Sequence, residues 1–154
     1  MKTVKELITE HEFFRGLDSA WIELIAGCGR NVHFEADQPL FREGDPADDF
    51  FVIRRGRVAL EVFLPERGPL VIDTLDDADV VGWSWLFPPY RWHFDARAIE
   101  PTSAISLDGA CLRGKSEEDP RLGYELMKRF GAIMWRRLEA TRVRLLDLYG
   151  HAGV

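Results

Sequence analysis

Residues 40–58 read LFREGDPADDFFVIRRGRV, and the alternation of apolar runs with turn residues in this stretch decides the fold class. Gly44 and Gly56 stand at turn positions, where glycine adopts a positive φ or lets two backbones approach closely. Asp45 and Asp48 carry carboxylates that can accept hydrogen bonds from nearby turn amides. The run from Phe50 to Ile53 consists of aromatic and β-branched residues, which fit a pleated sheet. The stretch therefore predicts β-strands joined by tight turns.

The same rhythm continues on both sides, over residues 31–107. Clusters of turn residues at 37–39, 44–46, 55–56, 65–69 and 76–79 separate short apolar runs. The runs Val58–Phe63 and Leu70–Leu75 have the composition of strands. Many short strands at this spacing predict a β-roll or jelly roll.

Helices are predicted on either side of the strands. Apolar residues before Cys28 recur at spacings of three and four, which is typical of short helices, and either Asp18 or Ser19 can cap the second one. Asp119-Pro120 opens a helix that meets no further proline, so it can run for about 30 residues and roughly 45 Å. We therefore expect one domain over 1–154, mainly β, with N-terminal helices in 1–30, a β-roll in 31–110 and a long C-terminal helix in 117–149.

The charge of the chain argues against a surface that wraps nucleic acid. The 154 residues carry a formal net charge of −6. Nucleic-acid binding through counterion release needs clustered excess Lys and Arg, which this composition does not supply.

The N-terminus and the cysteines favour a cytoplasmic protein. The opening residues are charged and lack the apolar run of a secretion signal, and no later stretch reaches membrane-spanning length. Cys28 and Cys111 lie far apart and form neither a metal-type pair nor a disulfide framework, which suits a reducing compartment. Buried free thiols are the prediction.

The segment Leu40–Val58 resembles the front hairpins of cyclic-nucleotide-binding domains of the catabolite-activator and FNR (Crp/Fnr) type. The resemblance continues through Ala98, residues 105–108 and Asp119-Pro120, and it covers Leu7 to Tyr149. It implies a phosphate-binding cassette of the form Phe-Gly-Glu-x-Ala-Leu, followed by an Arg-Ser/Thr-Ala strand start. In that cassette, amides at a helix start and one Arg hold the cyclic phosphate, and the Glu accepts a hydrogen bond from the ribose 2′-hydroxyl.

The corresponding stretch of this chain departs from the cassette. Trp83 stands where the resemblance places the ribose-binding Glu. Counting back from Arg97-Ala98, the phosphate Arg position falls on Trp92 and the Ser/Thr position on His93, although Arg91 is one residue away. The candidate ligand-binding residues are Gly82, Trp83, Ser84, Trp85, Leu86, Arg91, Trp92 and His93.

Three interpretations of this aromatic segment stay open. The rings can fill the cavity of the roll. Alternatively, the pocket survives and stacks a flat or apolar small molecule, with a polar end met by the 82–84 amides, Arg91 or His93. In the third, a cyclic nucleotide binds in a non-standard way, without the carboxylate.

The C-terminal helix carries an apolar stripe that is too wide for contact with its own roll alone. The stripe consists of Leu122, Leu126, Phe130, Ile133, Met134, Leu138, Leu145 and Leu148. The resemblance implies a homodimer through this helix. The opposite face carries basic residues, which we interpret as a solvated face: Lys128, Arg129, Arg136, Arg137, Arg142 and Arg144. The sequence leaves no room after the helix for a helix-turn-helix domain, so no direct DNA binding is expected.

A regulatory or sensor module that signals through the helix dimer is the first functional hypothesis. A ligand-free interaction or scaffold module, whose pocket is filled by its own tryptophans, is the alternative. The histidines show no spacing typical of a metal site, and one histidine in the cassette, His93, is weak support for haem. Because no nucleophile, base and orienting group stand at credible spacing, neither catalysis nor a cofactor is expected.

Overall fold

The structure, a computed structural model, describes residues 1–152. Eight strands in these residues form two antiparallel sheets of four. The strands are β1 (Gly29–Phe34), β2 (Pro39–Phe41), β3 (Asp49–Arg55), β4 (Val58–Leu64), β5 (Gly68–Leu75), β6 (Val80–Val81), β7 (Asp95–Ala98) and β8 (Thr102–Asp108). The first sheet has the order β1-β8-β3-β6 and the second β2-β7-β4-β5. The predicted mainly β fold, a β-roll of jelly-roll type with flanking helices, is confirmed.

Helices lie before, between and after the strands. They are α1 (Val4–Glu10), α2 (Ser19–Ala26), α3 (Gly109–Glu118) and α4 (Pro120–Ala152), with short 3-10 turns at Glu12–Phe14 and Ser84–Leu86. Helix α3 was not predicted as a separate helix, because its sequence GACLRGKSEE contains two glycines and no apolar stripe. The proposed division into 1–30, 31–110 and 117–149 stays a prediction.

Gly56 lets the chain cross from the first sheet to the second, between β3 and β4. Its φ is 127°, and a Cβ at this position would lie 2.4 Å from Thr102 Oγ1. Only glycine fits such a close approach with this backbone conformation. The turn that residues 55–56 predict therefore joins the two layers of the roll.

Strand β3 divides the interior into two cores, because its side chains alternate between faces. Phe50 and Val52 belong to a core that the helices cover, whereas Phe51 and Ile53 belong to the core between the two sheets. The four side chains are at least nine-tenths buried.

Asp119 holds the start of α4. Its carboxylate accepts hydrogen bonds from the amides of Arg121 and Leu122 at 3.2 and 3.4 Å, as an N-cap does, and Pro120 occupies the first helical position. Trp21 Nε1 donates to the same carboxylate at 2.9 Å, and this hydrogen bond is the main cause of the lowered pKa of Asp119. The predicted opening of the helix is thus tied to α2.

The first half of α4 buries one face, and the second half is exposed. Leu122, Leu126, Phe130 and Ile133 pack into the core under the helices. Residues 141–150 are exposed throughout. Long as α4 is, none of the described helices combines the length and apolar composition that a membrane crossing requires.

The prediction of free thiols is wrong. Cys28 and Cys111 form a disulfide, with their Cα atoms 5.7 Å apart. β1 pairs with β8, and Gly29 stands opposite Leu107, so the residues before β1 and after β8 meet despite a sequence separation of 83. The spacing of the two cysteines along the chain did not indicate this contact. The cytoplasmic location loses the support that it drew from free thiols and stays a prediction.

Candidate functional site

The candidate segment leaves the first sheet at β6 and reaches the second sheet at β7. It begins at Gly82, whose φ is 96° and where a Cβ would lie 2.4 Å from the Trp92 ring. The glycine is therefore required both by its backbone conformation and by the indole against it. The structure brings these two predicted residues into direct contact.

Trp92 lies inside the roll. It is 3% exposed and belongs to the core between the sheets. Its ring stacks on Phe41 with centroids 3.7 Å apart and planes 8° apart. The indole thus fills interior space next to the first residue of the candidate segment.

Ser84 and Trp85 lie in the other core. Trp85 is 1% exposed, stacks on Phe50 at 4.7 Å and meets Phe130 of α4 edge-on at 5.4 Å. Neither Ser84 Oγ nor Trp85 Nε1 has a hydrogen-bond partner among the described residues. Leu86 packs against the same core, half-buried. These residues anchor the segment under the helices.

Trp83 is half-buried and connects the segment to α4. Its ring meets Phe94 at 6.4 Å, and the guanidinium of Arg137 lies 5.1 Å from its centroid. Arg137 also donates a hydrogen bond to the Val80 carbonyl. Burial lowers the pKa of Arg137 from its ordinary value. One side chain of α4 therefore holds both β6 and the ring that follows it.

Arg91 and His93 lie at the surface on either side of buried Trp92. Arg91 Nη1 donates to the Gly44 carbonyl at 2.9 Å, so its guanidinium binds the turn between β2 and β3. Backbone hydrogen bonds of Trp92 with Gly44 and Asp45, at 2.8 and 3.0 Å, fix the same turn. The only cation of the predicted site is thus engaged with the backbone of its own roll.

Comparison with known proteins places the fold and this segment in one family. A family model described as the cyclic nucleotide-binding domain matches residues 31–119, which is more than half of the chain. The chain belongs to this family.

Relatives agree with the assignment of this cyclic nucleotide-binding domain. The chain is 24% identical over 143 residues to a CRP-like cAMP-activated global transcriptional regulator of Mycobacterium tuberculosis; the match covers 93% of the chain and 62% of the relative. It therefore spans less than two thirds of that protein. A Geobacter metallireducens GS-15 structure, described as a cyclic nucleotide-binding protein, is 27% identical with a TM-score of 0.78, covering 90% of this chain and 99% of that one. A cyclic nucleotide-binding domain from Methylobacillus flagellatus KT has the same TM-score at 19% identity, over 94% and 82%.

Sequence reasoning missed how the cyclic nucleotide-binding domain uses the arginines of α4. The structure contradicts the solvated basic face at two positions: Arg129 and Arg137 are half-buried and donate to the carbonyls of Phe13 and Val80. Arg144 stays exposed but donates to the Ile72 carbonyl. The sequence did indicate that some of these arginines face the roll. Positions 126, 130, 133, 137, 140 and 144 follow one another at spacings of four and three, so Arg137 and Arg144 continue the face that the buried apolar residues begin.

A buried carboxylate near the segment was also missed. Glu61 of β4 is 7% exposed and lies opposite Asp95, just after the segment. Arg97 Nε donates to it at 2.9 Å, and this bond is the main cause of the raised pKa of Arg97. Arg97, the anchor for counting back through the cassette, thus neutralises Glu61 instead of facing a ligand.

Proposed function

We propose that this domain is a regulatory module that does not bind cyclic AMP in the standard way and that signals through a homodimer of α4. The observation that carries the proposal is Trp92, which is buried against Gly82 and Phe41. Counting back from Arg97-Ala98, this is the position at which the resemblance implies the phosphate-binding arginine. An indole N–H is a single neutral donor, whereas a guanidinium meets a phosphate with paired charged donors.

The ribose contact is weakened for a similar reason. Trp83 has no carboxylate to accept from a 2′-hydroxyl, and nearby Glu61 is paired with Arg97. Breaking that buried pair to free a carboxylate would cost more than one sugar hydrogen bond returns. Standard recognition of a sugar phosphate thus lacks both of its side-chain contacts, and only backbone amides are left for the phosphate.

The path from site to helix runs through Arg137. Its contacts with Trp83 and Val80 link the segment to α4, so an occupant that moves the Trp83 ring changes how the helix is held. Signalling also requires that the occupant bind one arrangement of the helices better than the other.

Calorimetric titration tests the ligand part of the proposal. Cyclic AMP and cyclic GMP are titrated into the wild-type domain and into Arg91→Ala, with a catabolite-activator domain of intact cassette as positive control. We expect no heat of binding from either nucleotide in the wild type. Binding of cyclic AMP that Arg91→Ala abolishes would overturn the proposal, because Arg91 would then have left the Gly44 carbonyl to bind the phosphate.

A ligand-free scaffold is the second candidate function, and the burial of Trp92 favours it. In that case no small molecule changes the domain, and the dimer of α4 forms a docking surface. Tryptophan fluorescence separates the two candidates. A flat molecule from extracted metabolites that stacks on half-buried Trp83 changes the emission, and Trp83→Leu removes the change. A scaffold gives no response to any fraction.

We further propose that the domain acts in the cytoplasm without catalysing a reaction or binding DNA directly. Five of the six basic residues predicted on α4 bond to groups of the protein itself within residues 1–152, so most of them are already engaged with the domain. Measurement of DNA binding at two salt concentrations checks this, since phosphate contacts weaken with salt.

A further inference from the structure

The disulfide joins the turn after α2 to α3, at a point where the sheet already brings them together. Cys28 follows α2, and Cys111 lies in the first turn of α3. The Asp108 amide donates to the Cys28 carbonyl at 2.9 Å, and the Asp108 side chain caps α3 through the Cys111 amide. These two hydrogen bonds do not depend on the disulfide, so the sulfur atoms stay neighbours when it is reduced.

The disulfide is within reach of small thiols. Cys28 and Cys111 line a cleft of about 640 Å³, and Cys111 is half-buried while Cys28 is 8% exposed. The charge of the cleft is mixed, because its lining includes two arginines and three carboxylates, Arg30, Arg113, Asp48, Asp49 and Asp108. What the cleft provides is access for a small thiol, which a disulfide sealed in a core does not have.

Helix α3 connects the candidate site to α4. Arg113 donates to the Trp85 carbonyl and lies 4.2 Å from the centroid of Tyr90, so it holds both ends of the segment 85–90. At the other end of the helix, Ser116 packs against Gly123 of α4, where a Cβ would lie 3.1 Å from the Ser116 Cβ. The disulfide therefore fixes α3, the helix that contacts both the candidate segment and α4.

We propose that Cys28 and Cys111 form a reversible thiol–disulfide exchange site through which cellular thiols control how firmly α3 holds the segment 83–92. In reduction, the thiolate of one low-molecular-weight thiol attacks one sulfur to give a mixed disulfide and a protein thiolate. A second thiol attacks the mixed disulfide. The protein gains two electrons and two protons, and the two small thiols leave as their disulfide. This redox input is separate from the ligand of the proposed function and does not rest on it.

Alkylation and hydrogen exchange test the proposal on the whole chain. Samples are equilibrated in oxidised or reduced glutathione, and free thiols are then alkylated with N-ethylmaleimide without denaturant. Mass spectrometry counts the groups added to each chain. We expect no added group in the oxidised sample and two in the reduced one. Deuterium uptake is expected to rise on reduction in 83–92 and 109–118 and to stay unchanged in β4 and β5, while circular dichroism shows that the fold is kept.

A double variant, Cys28→Ala with Cys111→Ala, is the matched control. Its deuterium uptake should equal that of the reduced wild type in both buffers. The proposal is overturned if the native protein resists reduction, if reduction leaves uptake in 83–92 and 109–118 unchanged, or if uptake rises over the entire chain, which marks unfolding. If the variant does not fold, the reduced wild type alone decides between these outcomes.

Discussion

At position 92 a buried indole fills interior space between the two sheets. Trp92→Ala should leave a cavity against Phe41 and Gly82, and a truncation of this size costs about 3–5 kcal/mol of unfolding free energy. At roughly 2–4 °C per kcal/mol for a chain of this length, thermal unfolding should begin roughly 10 °C lower. Differential scanning calorimetry measures the change.

Trp83→Ala is the control for that substitution, because it removes the same side chain from a half-buried position. Trp83→Ala should lower the unfolding free energy clearly less than Trp92→Ala does. Equal losses at both positions would show that Trp92 is not the ring that fills the roll.

His11 makes stability depend on pH. Its Nδ1 accepts from the Phe13 amide at 3.1 Å and its Nε2 lies 2.8 Å from the Ile53 carbonyl, a pattern that the neutral ring satisfies with a proton on Nε2. Burial lowers its pKa below 6.5 in the folded state. The unfolded chain therefore binds the proton more readily, and the contribution of His11, fully present above pH 6.5, is lost as the pH falls towards the folded-state pKa.

We expect the unfolding free energy of the wild type to fall more between pH 7 and pH 5 than that of His11→Gln. Denaturant titration at both pH values gives the two slopes. If His11→Gln keeps the wild-type slope, the ring is not held neutral in the folded state.

At the scale of elements, Arg137 attaches α4 to the roll. Arg137→Ala removes the hydrogen bond to Val80 and the cation over Trp83, and loss of a buried partner costs about 1–3 kcal/mol. Its Nη1 has no partner among the described residues, which offsets part of this loss. Trp83 should also become more open to quenching by acrylamide.

Arg136→Ala is the control, because it removes the neighbouring arginine from an exposed position. It should leave both stability and quenching unchanged. If Arg137→Ala behaves in the same way, Arg137 does not link the segment to the helix.

Elements that depend on local chemistry were predictable from the sequence. A glycine such as Gly56 between two apolar runs indicates a turn whatever strands follow it. Pro120 after a capping Asp119 starts a helix in most contexts. The disulfide and the role of Arg137 depend instead on which strands pair and how α4 is rotated. The burial of Trp85 under the helices, away from Trp92, has the same origin, since residues only seven apart enter different cores.

At the scale of the whole molecule, α4 carries a second, mostly apolar face that stays largely exposed within residues 1–152. Positions 127, 131, 134, 138, 141, 145 and 148 alternate in steps of four and three, the period of a two-stranded coiled coil. Leu138, Leu145 and Leu148 on this face are 55%, 52% and 69% exposed. The face lies beside the one that binds the roll, so a second copy can cover it without displacing Arg137.

A homodimer through this face predicts the effect of a charge at its centre. Leu138→Glu with Leu145→Glu should convert the dimer to a monomer, because each carboxylate would be buried opposite its copy across the twofold axis. Sedimentation velocity at several concentrations measures the mass in solution. It should fall from twice the chain mass of 17.7 kDa to the mass of a single chain. Val143→Glu is the matched control: Val143 is 55% exposed but points well away from Leu138 around the helix, so this variant should remain a dimer. Two outcomes contradict the prediction: a wild type that sediments as a monomer, or a Val143→Glu variant that dissociates as completely as the leucine pair. In either case the copies do not meet through this face, and the proposal of signalling through a helix dimer is wrong.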